Sequence, residues 1–262
     1  MASTGPPPVP NPVYIETVNF RVTLILSYSR GQAPHPSRSG SATGFFYQKG
    51  DDKYLITNRH VAIDEDEEYY PDFIKIKVHS DNRTLLNTRN IDIPLYDEGN
   101  KIWLEHRDND GIQIVNDKID VIAIKINDFL SPTDLIQFFS SRDFPLPDTR
   151  INLGDSCIVV GFPYAFHDTQ HYLPVVRSGT IASTWRSHFR GKKMFLVDSN
   201  LHPGTSGSPV IIPESNVRRD GGGVGLGLYP LLLLGINSAE SLEKGFNLNI
   251  IWYYFLIEEI LS

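Results

Sequence analysis

The segment of this chain best suited to covalent chemistry is a loop of small residues around Ser206, with the sequence HPGTSGSPV at positions 202–210. A tight turn that runs directly into an apolar strand can hold a serine hydroxyl at a fixed point. Gly204 permits backbone angles that place its own N–H beside that of Ser206, and two such donors stabilise the oxyanion of an acyl transfer. The competing interpretation is an ordinary turn rich in glycine and serine.

A nucleophilic serine needs a base, and the chain contains eight histidines, none of them after Ser206. This order excludes an α/β-hydrolase, in which the histidine follows the serine in the sequence. His60 is the strongest candidate because the hydrophobic run at 54–57 leads into it through Asn58 and Arg59. We therefore expect its imidazole to project from the end of a rigid strand.

The acid that would orient this histidine is expected at Asp120, the first residue of DVIAIKI at positions 120–126. A carboxylate at the start of a buried strand is costly unless a donor meets it, and the Nδ1–H of a histidine is the donor in a catalytic triad. Asp117 is a nearby competitor, and Asp120 could merely end a turn. Because the strand follows Asp120 at once, we favour Asp120.

Short strand-like runs separated by turn residues must position these three side chains. The runs are rich in Val, Ile, Phe and Tyr and have the spacing of a β-barrel or sandwich. They occur at 20–26, 43–47, 54–57, 73–78, 121–126, 157–160, 194–197, 209–212 and 231–236. Helical signals are few: SPTD at 131–134 predicts a short helix over 133–139, and apolar spacing predicts another over 251–262.

Four segments, in this order, carry a family resemblance: GSATGFF at 40–46, LITNRHV at 55–61, DVIAI at 120–124 and PGTSGSP at 203–209. They resemble the trypsin-like peptidases, and in detail the protease domain of the HtrA/Deg branch. GFP at 161–163 and GTIAS at 179–183 resemble two further segments of that branch. The resemblance implies an all-β, chymotrypsin-like fold of two packed six-stranded antiparallel β-barrels with a C-terminal helix.

The same resemblance implies a division of the chain into three parts. Residues 1–14 would be a flexible proline-rich tail, 15–250 the peptidase domain, and 251–262 the C-terminal helix. Within the domain, we expect an N-terminal barrel at about 15–130 and a C-terminal barrel at about 145–250. Too little sequence follows Ser206 for a PDZ domain as well, so none is expected.

The resemblance also assigns catalytic roles. His60, Asp120 and Ser206 match the triad of a serine endopeptidase, and the N–H groups of Gly204 and Ser206 match its oxyanion hole. Thr205 stands where trypsins that are activated by cleavage carry an aspartate, which pairs with the new N-terminus. Activation by an N-terminal cut is therefore not expected.

Substrate-binding residues implied by the resemblance lie along one strand and around the first specificity pocket. They are Asn200, Leu201, Ser238, Ala239, Glu240 and Gly245. Glu240 at the rim would favour a basic residue before the cleaved bond, whereas Asn200 and Leu201 at the base would favour a small or apolar one. We expect the second preference, because a carboxylate at the rim is solvated and screened.

Composition narrows the setting in which this chemistry would occur. The net charge of −7 argues against a nucleic-acid partner, since phosphate binding favours a basic surface. The single cysteine, Cys157, allows no internal disulfide, and the first residues do not resemble a secretory signal, so we expect a cytoplasmic protein. The most apolar run, at 226–236, is too short and too interrupted to cross a membrane.

The expected partner is a protein or peptide substrate, and the triad chemistry requires no cofactor and no metal. Two other functions stay open at this point. One is a protease effector that is silent until a regulatory protein partner orders its loops. The other is a binding module that has kept the fold without turnover.

Overall fold

The structure, a computed structural model, describes residues 16–29, 38–81, 84–110, 118–220, 223–241 and 247–262. The first half is an antiparallel sheet of seven strands in the order β5-β4-β1-β2-β3-β9-β8. These strands are β1 Val22–Ser29, β2 Arg38–Lys49, β3 Asp52–Thr57, β4 Phe73–His79, β5 Thr88–Pro94, β8 Trp103–Glu105 and β9 Ile122–Lys125. A two-stranded ribbon of β6 Tyr96–Asp97 and β7 Asn100–Lys101 joins it.

The second half is a closed antiparallel barrel in the order β10-β11-β12-β17-β16-β13. Its strands are β10 Ser156–Gly161, β11 Val175–Ile181, β12 Met194–Asp198, β13 Pro209–Ile212, β16 Leu232–Ser241 and β17 Leu248–Tyr253. A separate two-stranded ribbon consists of β14 Ser215–Asp220 and β15 Gly223–Tyr229. One α-helix, α1 Phe255–Ile260, follows β17.

Alternation along the strands sends neighbouring side chains into two different cores. Phe46 of β2 packs in the core of the first half, whereas Phe45 and Tyr47 pack in a second core that also contains Val160 and Leu196 of the barrel. All three aromatic residues are at most 2 % exposed. Because the second core takes residues from both halves, it joins the sheet to the barrel.

The fold class predicted from the sequence is confirmed, with one difference in the first half. That half has seven strands instead of six, and the described pairing leaves β5 and β8 as its two edges. The extra strand, β8, has three residues and pairs with β9. A run of three residues is too short to show an alternating pattern in the sequence.

The helix predicted over 133–139 is wrong, because the described chain there forms turns and bridges. Leu135 bridges to His79 and Phe139 to Tyr47, and the ring of Phe139 is fully buried. The side chain of Asp134 binds Arg89 and the N–H of Ser131. Tertiary partners therefore outweigh the local helix signal.

The C-terminal helix predicted over 251–262 starts later in the structure. Residues 251–253 belong to β17, which pairs with both β12 and β16 and helps to close the barrel. The helix itself is Phe255–Ile260. Throughout the described ranges, no helix is long and apolar enough to cross a membrane.

Candidate active site

Strand pairing in the first half brings His60 and Asp120 together. His60 lies in a short 3-10 turn, Arg59–Val61, directly after β3. Asp120 lies two residues before β9, and the antiparallel register pairs Thr57 of β3 with Ile122 of β9. The end of one strand therefore lies beside the start of the other, and the two side chains meet there.

The carboxylate of Asp120 accepts three hydrogen bonds. Oδ2 is 2.9 Å from His60 Nδ1 and 2.9 Å from the Ser238 hydroxyl, and Oδ1 accepts from the backbone N–H of His60 at 2.9 Å. An ionised carboxylate only accepts, so the proton of the neutral imidazole belongs on Nδ1. The Nε2 lone pair of His60 is then the basic one, as proton abstraction from a serine requires.

The residues between β3 and His60 hold this geometry in place. Asn58 is fully buried and donates from Nδ2 to the backbone carbonyl of Asp120 at 2.7 Å. Arg59, whose side chain is 8 % exposed, binds Glu65 at 2.7 and 3.0 Å and Glu105 at 3.0 Å. The hydrogen bonds from Arg59 lower the pKa of Glu65 to about 2.

The low pKa of Glu65 predicts a loss of stability in acid. Its folded pKa of about 2 lies below the ordinary 4.5, so its contribution is complete above about pH 4.5 and is lost as the pH falls through about 2. Its side chain is 29 % exposed, and after the discount for solvent screening we expect about 1–2 kcal/mol. Chemical denaturation at about pH 6 and about pH 2.5 measures the difference.

The Glu65→Gln variant should lose less unfolding free energy than the wild type between these two pH values. Glu67→Gln is the matched control, because the Glu67 side chain is 72 % exposed and lies 3.9 Å from Arg38. This control should keep the wild-type pH dependence. An equal pH dependence in the wild type and Glu65→Gln would contradict the prediction.

Two glycines shape the loop that presents Ser206, and both have positive φ: +94° at Gly204 and +80° at Gly207. A Cβ on Gly204 would lie 2.6 Å from the carbonyl oxygen of Phe162. A Cβ on Gly207 would lie 2.2 Å from the carbonyl oxygen of Thr43 and 2.4 Å from Thr57 Oγ1. The loop therefore packs directly against β2 and the end of β3, which leads to His60.

Gly207→Ala is expected to destabilise the fold by at least about 3 kcal/mol, since the strained φ and the clash with backbone atoms add together. Gly154→Ala is the matched control, because Gly154 also has a positive φ, +86°, but no described atom lies within 4 Å of its Cβ position. It should cost about 1 kcal/mol. Thermal or chemical unfolding measures both values. Equal losses would show that the packing against Thr43 and Thr57 contributes nothing.

Contacts inside the loop fix the residue before the nucleophile. Thr205, 2 % exposed, donates from Oγ1 to the carbonyl of His202 at 2.8 Å. The fully buried Asn237 donates from Nδ2 to the carbonyl of Thr205 at 2.9 Å, and its own carbonyl accepts from the Gly207 N–H at 2.8 Å. These hydrogen bonds hold the loop through the barrel strand β16.

The carbonyls of Gly204, Ser206 and Pro203 each accept a hydrogen bond, which fixes the orientation of the peptides around the proposed oxyanion hole. The Gly204 carbonyl accepts from Thr43 Oγ1 and the Ser206 carbonyl from the Thr43 N–H, each at 2.8 Å. The Pro203 carbonyl accepts from the Tyr164 N–H at 2.6 Å, so the Gly204 N–H, on the opposite side of that peptide, points away from Tyr164. Within the described ranges, neither the Gly204 nor the Ser206 N–H donates a hydrogen bond.

The candidate nucleophile lies in the loop before β13 of the barrel, and the candidate base follows β3 of the sheet. Ser206 is 5 % exposed and the His60 side chain 30 % exposed. No hydrogen bond between the Ser206 hydroxyl and the His60 ring is present in the described part of the chain. Hydrogen bonds between a catalytic serine and its histidine are commonly long without substrate and shorten when substrate binds.

A cavity of about 270 Å³ lies beside Ser206. Leu201 lines it, whereas Asn200 lies outside the lining and is exposed. The carbonyl of Asn200 accepts from Arg177 at 2.7 Å. Ser238 contacts Asp120 instead of lining the cavity.

Ala239, Glu240 and Gly245 are the other three residues that the sequence predicted for the pocket. Ala239 and Glu240 lie near the end of β16, where the backbone alone is described. Gly245 lies outside the described residues, as does Asp117, the competitor of Asp120.

The remaining reactive side chains offer no alternative centre in the described ranges. Cys157 is 1 % exposed, and burial raises the pKa of its thiol to about 12, so it stays protonated at neutral pH. No group of three or more His, Cys, Asp or Glu among the described residues could hold a metal ion.

Comparison with known families decides the class of this protein. A family model of the trypsin-like peptidase domain matches residues 42–217, more than half of the chain. The chain belongs to the trypsin-like peptidase family. No curated protein matches it significantly.

The matched part of this trypsin-like peptidase domain contains His60, Asp120 and Ser206 but ends before β16. Ser238, Asn247 and Asn249 lie outside the matched residues. The family match therefore says nothing of them, and only the structure describes their positions. Sequence reasoning missed Thr43, Asn58 and Asn237, which position the loop and the acid. Thr43 lies within the motif GSATGFF and Asn58 within LITNRHV. Membership of these motifs was the sequence feature that could have indicated their positioning role.

Proposed function

We propose that this domain is a serine endopeptidase of the HtrA/Deg type that hydrolyses peptide bonds in a protein substrate. The observation that carries the proposal is the 2.9 Å contact of His60 Nδ1 with Asp120 Oδ2, because it leaves Nε2 as the base beside the Ser206 loop. The motif wording at 40–46 and 55–61 supports the branch, and the single buried Cys157 supports a cytoplasmic setting.

In the first half of the reaction, Ser206 Oγ attacks the carbonyl carbon of the substrate and its proton moves to His60 Nε2. The negative charge that forms on the carbonyl oxygen is stabilised by the N–H groups of Gly204 and Ser206. His60 then gives its proton to the leaving nitrogen as the C–N bond breaks. The amine product departs, and an ester of Ser206 remains.

In the second half, a water molecule attacks this ester and gives its proton to His60 Nε2. The bond to Ser206 Oγ breaks, His60 returns the proton to that oxygen, and the acid product is released. Asp120 accepts the hydrogen bond from Nδ1 throughout. This contact holds the ring and stabilises the imidazolium. Each step uses groups of this chain, the peptide and water.

An active-site probe tests the proposal directly. A fluorophosphonate should label the folded protein on Ser206, and peptide mapping should find the adduct there and not on Ser208, two residues away in the same loop. Heat-denatured protein should remain unlabelled, because the reactivity depends on the assembled site. Absence of labelling of the folded protein would contradict the proposal and leave the two alternatives: an effector that is silent until a partner binds, and a binding module on the same fold.

A further inference from the structure

The cavity beside Ser206 has a mostly polar lining among the described residues. Its volume is about 270 Å³. The lining contains neither Asp nor Glu and neither Lys nor Arg in the described part of the chain. It consists of Ser41, Ser199, Leu201, His202, Pro203, Gly204, Thr205, Ser206, Asn247 and Asn249.

Asn249 of β17 is the most firmly oriented polar side chain of this lining. The residue is 9 % exposed, and the two N–H donors of its Nδ2 are shared among the carbonyls of Val197 at 3.2 Å, Ser199 at 2.6 Å and Asn247 at 3.1 Å. Carbonyls only accept, so these contacts fix which end of the amide is nitrogen.

Asn249 lines the cavity, and its amide oxygen is the polar atom of its side chain that the contacts to the carbonyls do not use. Among the described residues it accepts no hydrogen bond, yet it is not a fully enclosed atom without a partner. Ser199 adds a second acceptor, because its hydroxyl donates its proton to the Ser178 carbonyl at 2.7 Å and keeps its lone pairs. The cavity thus offers two neutral acceptors.

We propose that Asn249 is a specificity-determining residue that selects a primary-amide side chain, glutamine or asparagine, immediately before the cleaved bond. The inference rests on the proposed peptidase function. An amide N–H₂ donates to neutral acceptors, whereas an apolar side chain would leave the Asn249 oxygen unpaired. A carboxylate would place acceptors against acceptors, and a lysine or arginine would meet no carboxylate among the described lining residues to offset its desolvation.

This preference for an amide side chain differs from the sequence-based expectation. Asn200 and Leu201 predicted a small or apolar residue before the cleaved bond. Asn200 lies outside the lining, and the one apolar side chain from that pair, Leu201, lies beside the two acceptors. The amide of Asn249 could not be foreseen as a pocket group, because its position depends on the register of β17 against β12.

A peptide series that varies only the residue before the cleaved bond tests the proposal. Glutamine, glutamate, methionine and lysine have similar lengths but differ in donors and charge, and asparagine tests the shorter amide. We expect kcat/KM for the better amide to exceed that for methionine and glutamate at least about tenfold, the value of one net hydrogen bond. Equal or faster cleavage after methionine or lysine would overturn the inference.

Variants separate the role of the Asn249 oxygen from a general effect. The measured quantity is kcat/KM for the amide peptide divided by kcat/KM for the methionine peptide. Asn249→Leu should reduce this ratio to near one, and Ser199→Ala should reduce it about threefold. Asn90→Leu is the matched control, because Asn90 of β5 is an exposed asparagine outside the lining, and the wild-type ratio should persist. If the leucine variant at 249 does not fold, the wild-type series and Ser199→Ala decide.

Failure of this inference and failure of the proposed function give different results. If a mixed peptide library is cleaved after residues other than Gln and Asn, the specificity proposal is wrong and the peptidase function stands. If no peptide is cleaved and Ser206 takes up no fluorophosphonate, the peptidase proposal fails, and the specificity proposal fails with it.

Discussion

Replacing Ser206 with alanine is expected to lower kcat for peptide hydrolysis about 10⁶-fold, because the reaction then lacks its nucleophile. The fold should survive the change. The loop is held at this residue by its backbone carbonyl, which accepts from the Thr43 N–H, and an alanine keeps that contact. Peptide binding should also change little, since the cavity and the N–H groups of the oxyanion hole remain.

Ser208→Ala is the control for this prediction, as it makes the same chemical change two residues away. The Ser208 hydroxyl is fully buried and has no hydrogen-bond partner in the described part of the chain. Removing such a group costs little and can stabilise a protein. Steady-state kinetics with a peptide substrate should show near-normal kcat for Ser208→Ala. Substantial turnover by Ser206→Ala would place the nucleophile elsewhere.

Asp120→Asn is expected to lower kcat by about 10⁴-fold without unfolding the protein. An asparagine has one acceptor oxygen and one N–H₂ group, whereas the two oxygens of Asp120 meet three donors. If the oxygen keeps the contact to the His60 backbone N–H, the N–H₂ group faces His60 Nδ1. The ring must then carry its proton on Nε2, where it cannot accept the proton of Ser206.

The opposite orientation of the asparagine would place its N–H₂ group against the backbone N–H of His60, which leaves two donors facing each other. Both orientations therefore disturb the base. Asp117→Asn is the control, because the sequence offers Asp117 as the other candidate acid. We measure kcat, fluorophosphonate labelling and thermal unfolding for both variants. A loss for Asp117→Asn and none for Asp120→Asn would reverse the assignment.

Short motifs carried most of the information about the candidate triad. Each of His60, Asp120 and Ser206 lies at the junction of a turn and an apolar strand, a pattern that is visible over fewer than ten residues. The antiparallel register of β3 and β9 then brings His60 and Asp120 into contact. The repeated short runs of Val, Ile, Phe and Tyr predicted a β-barrel or sandwich, and the family resemblance narrowed this to the chymotrypsin-like class.

Local signals failed where a distant strand competes with the local preference. Residues 251–253 have apolar side chains that suit a helix as well as a strand, and hydrogen bonding to β12 and β16 decides for the strand. The N-cap signal at 131–134 likewise loses to the burial of Phe139 against the sheet. A single sequence does not contain the pairing that settles either case.

The sequence by itself predicted an all-β chain and nominated Ser206, His60 and Asp120 as the candidate triad, because residue type and local alternation carry those signals. The tertiary structure alone decided how the loop is held and what the cavity offers. Thr43 reaches Gly204 across 161 residues, and Asn237 reaches Thr205 across 32. The free oxygen of Asn249 exists because barrel closure places three carbonyls around its amide nitrogen. Contacts of this kind depend on register and closure, which no short motif records.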